Sequence, residues 1–155
     1  MLKSFWILTI CAVLPACASA PRVAQQTERE VQQASDEFLA SVQRRDTSSF
    51  VAHFTEDGTF MVPGLPDAAG HGAIRELAGK RFAGQSTEDF EVHRREIELT
   101  SDTAYELAWF SETSRQQGQA YRMQGRYFIL WKLGSDERWR VHRYMYNFSD
   151  ATPLP

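Results

Sequence analysis

Near the end of the chain, His142, Tyr144 and Tyr146 alternate along a run with strand character. An imidazole titrates near neutral pH and can act as a general base. A phenol can donate to a developing oxyanion. On one face of a strand, neighbours in this trio would stand about 6.6–7 Å apart. Such a set could abstract a proton beside a carbonyl or assist a dehydration, which makes His142 and Tyr144 the candidate catalytic residues. The same side chains could instead cap an apolar core with their polar tips in water. The opposite parity presents Val141, Arg143, Met145 and Asn147. Reflecting the preceding hairpin about Asp136 pairs Trp131 with Val141, and a one-residue shift in the loop reverses the faces, so spacing alone leaves both parities open.

Eleven of the nineteen aromatic residues lie in 105–155. Trp109, Tyr127 and Trp131 could wall a ligand pocket beside His142, Tyr144 and Tyr146; core and dimer packing is the competing use for each. Glu112 would add a carboxylate if its parity is inward. Arg94, Arg95, Arg138 and Arg140 read as solvated. The four histidines, at 53, 71, 93 and 142, show no HxH or HExxH spacing, so no metal site is expected. No Gly-rich phosphate loop, Ser-His-Asp set or Cys-His pair occurs, and no cofactor is expected.

The elements that must position these residues fall in a clear order. Thr27-Glu28-Arg29-Glu30 forms a capping box, and Val31, Ala34, Phe38, Leu39 and Val42 follow at helical spacing. A first helix is expected over 27–45, and Asp46 can cap a short second one. Asp57-Gly58 signals a turn before a short strand at 59–62, and a third helix follows Gly70 and Gly72. From about Thr87 the period changes to 2. Phe90 and Val92 have one parity, Ile97 and Leu99 the other, which requires a bulge near Arg94-Arg95. Three further strands follow, joined by Gln116–Gln119 and Gly134–Glu137. Segregated helices and a strand meander make an α+β fold: a cone-shaped curved antiparallel sheet with three N-terminal helices on its concave side.

Residues 1–20 differ from the rest. Lys3, an apolar run from Phe5 to Leu14 and the small residues 15–20 have the order of a secretory signal peptide. The run is half the roughly 20 residues of a membrane span. Both cysteines, Cys11 and Cys17, lie here, so the folded part has no internal disulfide. Leu14-Pro15-Ala16-Cys17 resembles a bacterial lipobox, in which the cysteine is acylated. Cleavage by ordinary signal peptidase after Ala18 or Ala20 is the alternative. The expected organisation is a signal peptide at 1–16, a tether at 17–26, one domain at 27–148 and a tail at 149–155. The product would be exported to the bacterial cell envelope, periplasmic or touching the membrane only through a lipid anchor. A formal net charge of −3 argues against nucleic acid as a partner.

Three segments carry a family resemblance. They are Phe54-Thr55-Glu56-Asp57-Gly58-Thr59-Phe60 with Pro63-Gly64, then Gly70-His71-Gly72-Ala73-Ile74, and last Gly125 to Lys132 with Trp139-Arg140-Val141 and Asn147. Together the layout resembles the nuclear-transport-factor-2-like superfamily, with its SnoaL-like and ketosteroid-isomerase-like members. The resemblance implies a ligand site inside the cone, with His142, Tyr144 and Tyr146 facing inward, and a homodimer formed through the outer face of the sheet. Many relatives carry an acid five residues after the hairpin tryptophan; here Tyr144 takes that place. Its absence favours a binding protein for a small apolar or aromatic ligand over an isomerase, dehydratase or cyclase. A structural assembly module is the third reading. A pocket position for Tyr144 also implies that it tolerates truncation better than Trp139.

If Cys17 is lipidated, Cys17→Ser moves the protein from the membrane fraction to the soluble periplasm. Fractionation followed by N-terminal sequencing reads this; wild type and variant that are both soluble and begin at Ser19 or Pro21 would contradict it.

Overall fold

A computed structural model describes residues 20–84, 86–116 and 118–154; Cys17 and the leader lie outside them. Helix α1 spans Ala20–Gln43 among the described residues, so the chain is already helical before the capping box, where Gln25 and Gln26 favour helix. Helix α2 (Thr47–Ala52) is capped by Asp46, which accepts from the Ser49 N–H at 3.0 Å. Strand β1 is Phe54–Met61, β2 is Ala68–Ala69, and α3 is Gly70–Gly84. Four long strands follow: β3 (Ser86–Leu99), β4 (Thr103–Gln116), β5 (Gln119–Leu133) and β6 (Trp139–Pro153). Among the described residues, no helix is long and apolar enough to cross a membrane.

The strands form one sheet in the order β2-β1-β6-β5-β4-β3. The β3–β6 meander is antiparallel, as expected, but β1 joins β6 in parallel. The sheet is therefore mixed. Asp57-Gly58 turns the chain inside β1, as expected: the register passes from Phe54↔Val141 to Thr59↔Arg143, and a Cβ on Gly58 would lie 2.9 Å from the Thr55 carbonyl oxygen. Residues 149–153 are strand, with Tyr121 opposite Pro153. At the β4–β5 hairpin Gly118 takes φ +86°, a conformation glycine adopts without a Cβ clash.

Two bulges decide which side chains reach the concave face. In β3 the register passes from Val92↔Phe110 to Arg94↔Trp109, so His93 is the extra residue. The expected bulge is present one residue early, and it turns Arg95, Ile97 and Leu99 inward. In β6 the register passes from Trp131↔Val141 to Leu130↔Arg143, so His142 is the extra residue. Both hairpin readings then hold, each on its own side of the bulge: Trp131 pairs with Val141, yet Tyr144 and Tyr146 face inward.

The inner end of the cone is full. Phe38 of α1 packs edge-on against Trp131 and Tyr144, with ring centroids 6.2 and 5.0 Å away, and stacks on Phe50 at 5.2 Å. Beside this cluster Glu106 is completely buried. Its Oε1 accepts from the Ser35 hydroxyl (2.8 Å) and the Tyr127 hydroxyl (2.7 Å), and its Oε2 from Trp131 Nε1 (3.1 Å). Arg95 Nε lies 3.0 Å from Oε1 in an ion pair, and the other side of its guanidinium meets Asp36 at 2.8 Å. Arg95 is thus a core ion-pair partner and not a solvated side chain. An ionised carboxylate can be buried only when paired and hydrogen-bonded, and here three hydrogen-bond donors and the Arg95 guanidinium meet it.

Glu106→Gln replaces an acceptor-only group with one that must point N–H donors at other donors, and it strands Arg95. Denaturant unfolding should show a loss of about 3–5 kcal/mol. Asp36→Asn, at the exposed end of the network, should cost less than about 1 kcal/mol; equal losses would show that burial of Glu106 is not what matters.

Candidate functional site

The cone stays open where β4, β5 and β6 run past the C-terminus of α1. Here Phe50 and Phe60 form the floor, Phe90, Phe110 and Phe148 one wall, and Val42, Arg45, Arg81 and Phe82 the rim. The enclosed space is about 60 Å³. Tyr144 and Tyr146 enter from β6 and Glu112 from β4. Regular alternation past the β6 bulge puts Tyr144, Tyr146 and Phe148 on one face. Tyr144 stacks on Phe60 at 5.2 Å with the planes 6° apart, and Tyr146 lies 5.9 Å further on. Phe90 stacks on Phe110 at 5.3 Å. Gly125 makes room for this wall: a Cβ there would meet the Asn147 carbonyl oxygen at 2.4 Å and Phe110 Cζ at 2.7 Å.

Three titratable groups, Glu112, Tyr144 and Tyr146, share the cavity with the arginines Arg45 and Arg81. Burial pushes the Glu112 carboxyl above its ordinary value, and nearby Arg81 opposes this. Burial also raises both phenols, Tyr144 well above its usual value and Tyr146 against the opposing charge of Arg81. Arg81 lies with its guanidinium carbon 5.4 Å from the centre of the Tyr146 ring. A carboxyl with raised proton affinity beside two protonated phenols has the components of acid–base chemistry.

The structure brings Tyr144 and Tyr146 to this cavity but not the rest of the expected set. His142 is turned away by its bulge. Its Nδ1 lies 3.1 Å from the Thr55 hydroxyl, 3.2 Å from Arg143 and 3.5 Å from Asp57 Oδ1, all outside the cavity. Burial, then Arg143 and Lys132, hold its pKa below the ordinary value against the pull of Asp57. Tyr127 and Trp131 face inward but are enclosed in the core and committed to Glu106. Trp109 lies on the outer face, covered by Arg94 at 4.7 Å from its ring centre. Glu112 has the inward parity on which its candidacy depended. Reasoning from residue types missed the phenylalanine walls and Arg81, since phenylalanines spread over six elements show no local pattern. Glu106 had a readable signal: an acid between Ala104 and Ala108 on the inward parity of a strand. Among the described residues, no three His, Cys, Asp or Glu side chains are grouped to hold a metal.

Tyr144 is both cavity wall and core, since it is 7% exposed and packs on Phe38, Phe50, Phe60 and Tyr127. The expected tolerance to truncation is therefore withdrawn. Tyr144→Ala should cost about 3–5 kcal/mol, as Trp139→Ala should, whereas Tyr144→Phe should cost less than about 1 kcal/mol. Chemical denaturation of the three variants checks this; a mild Tyr144→Ala would show that the ring is not part of the core.

A profile of the SnoaL-like domain matches residues 24–145. No curated protein is matched by the sequence. Among solved structures, a ketosteroid isomerase-like protein from Erwinia carotovora atroseptica superposes with a TM-score of 0.72 at 20% identity, over 79% of this chain and 95% of that one. The hexachlorocyclohexane dehydrochlorinase LinA-type3 from Novosphingobium barchaimii gives 0.73 at 14% identity, over 88% and 94%. An NTF2-like protein with a cystatin-like fold from Novosphingobium aromaticivorans gives 0.69 at 16%, over 85% and 88%. At these identities the structures speak for the fold, which is the NTF2-like cone with helices on a curved, unclosed sheet. With most of its length matched by the profile, the chain belongs to the SnoaL-like domain family.

Proposed function

We propose that the protein is an exported small-molecule-binding protein whose ligand enters the aromatic cavity between α1, α3 and the ends of β4 and β6. The carrying observation is that this cavity is walled by phenylalanines yet holds Glu112, Arg81, Tyr144 and Tyr146, an apolar enclosure with a few convergent polar groups. The leader supports export. A second reading is proton transfer on the bound molecule, with Glu112 as base and a tyrosine hydroxyl as donor. It is favoured by the raised affinity of Glu112 for its proton. The isomerase-like and dehydrochlorinase neighbours show that this fold accommodates enzymes. His142 is not part of that reading, because its imidazole lies outside the cavity.

The assembly reading also has support. The outer face carries an apolar band that includes Tyr105 and Met145, 38% and 47% exposed, with Leu107, Trp109, Phe128 and Leu130 half-buried. Arg94, ion-paired with Glu96, and Glu98 edge it on β3. An exposed apolar band on one face of a sheet can pack on its own two-fold copy, which supports a homodimer through this face.

Hexan-1-ol, a chain with an uncharged head, should raise the Tm of the purified full-length protein saturably. Val42→Phe, which fills the rim of the cavity, should abolish the rise. An equal response in both proteins would sink the cavity reading. Native mass spectrometry of the same samples should give twice the protomer mass; a monomer at all concentrations would sink the dimer.

A further inference from the structure

The aromatic interior of the cavity accepts any apolar body, so the charges at its rim decide which head group accompanies it. Arg45 and Arg81 line the cavity with one acid, Glu112. Two guanidinium groups against a single carboxyl leave the lining net positive whichever protonation state Glu112 takes. Arg45 is held at the rim by donating to the Phe82 carbonyl oxygen at 3.4 Å. Arg81, in the last turn of α3, is steered by its seat over the Tyr146 ring. Among the described residues no carboxylate comes within ion-pair distance of Arg81. Its planar fork of N–H donors matches a carboxylate two bonds at a time.

We propose that the cavity takes a small aliphatic monocarboxylate, its carboxylate on Arg81 and its chain among the phenylalanines. This rests on the reading of the cavity as a ligand site. The space of about 60 Å³ is well under the ~150 Å³ of a cavity that encloses benzene, so only part of a chain enters it and the head stays at the rim. The aromatic walls by themselves would also attract an ammonium head, but the two guanidinium groups repel it. Glu112 fits the anion as well. Burial favours its neutral form, and a neutral carboxyl donates its O–H to a carboxylate oxygen instead of repelling it.

The test compares hexanoate, hexan-1-ol and hexylamine on the full-length protein, with calorimetric affinities and Tm shifts. Hexanoate should bind at least tenfold more tightly than hexanol, and hexylamine weakest. Arg81→Gln should remove that tenfold preference, and an unchanged circular-dichroism spectrum shows that the variant is folded. Arg81→Lys, retaining the charge without the fork, should keep part of it. Hexanol binding as tightly as hexanoate, or hexanoate affinity unaffected in Arg81→Gln, would overturn the carboxylate head and leave the cavity reading standing. Failure of all three probes to bind would overturn both.

Discussion

The charge on Glu106 is the constraint around which the rest is arranged. A carboxylate with no exposure must be met on both oxygens, and its four partners come from three elements: Ser35 on α1, Arg95 on β3, Tyr127 and Trp131 on β5. Ser35 ties α1 to β4 and Asp36 ties it to Arg95 on β3, so α1 cannot slide or roll without disturbing a buried ion. Alternative packings of Phe38, Phe50 and Trp131 would bury similar apolar area. The charged network admits one of them. It also occupies the middle of the cone, and what space remains is displaced to the end where the strands outrun α1.

The division between a locked interior and an open end makes sense of the family and of this member. The SnoaL-like match and the NTF2-like neighbours account for the helices and the curved sheet. At 14–20% identity they speak for the fold and not for the residues inside the cone. The core and the cavity draw on partly separate residues. Glu106, Arg95 and Trp131 hold the fold, and Glu112, Arg81 and Tyr146 face the cavity. Tyr144 belongs to both, and its ring is where a change in binding would be felt as a change in folding.

How much could be read from the chain depended on whether the signal was local. The change from helical to two-residue period, the turns at Gly118 and Gly134, and the parity switch in β3 are encoded within a few residues, and they placed the meander and one bulge. The second bulge, at His142, has no such mark, because Val141 and Tyr144 are each acceptable on either face until the hairpin pairing is known. That one inserted residue separates His142 from Tyr144 and breaks up the proposed catalytic trio. The Arg95–Glu106 pair is 11 residues apart in sequence and met across two strands, so Arg95 looked like any surface arginine. The helix before Thr27 was missed for a different reason: a capping-box pattern at Thr27 does not end a helix that is already running through Gln25 and Gln26.

The strand order has a consequence for how the chain comes to be made. β6 lies between β1 and β5, yet it follows every other element of the sheet in sequence. Until it is in place, β1 has no long neighbour, the aromatic rings of Phe38, Phe50 and Phe60 lack Tyr144, and the cone has a slot through its middle. Synthesis from the N-terminus therefore produces, for most of its duration, helices and a hairpin that cannot close a core. Pairing Phe54 with Val141 then bridges most of the chain in a single late step, the kind of long-range contact that slows folding. A chain built this way cannot complete its core until its final strand arrives.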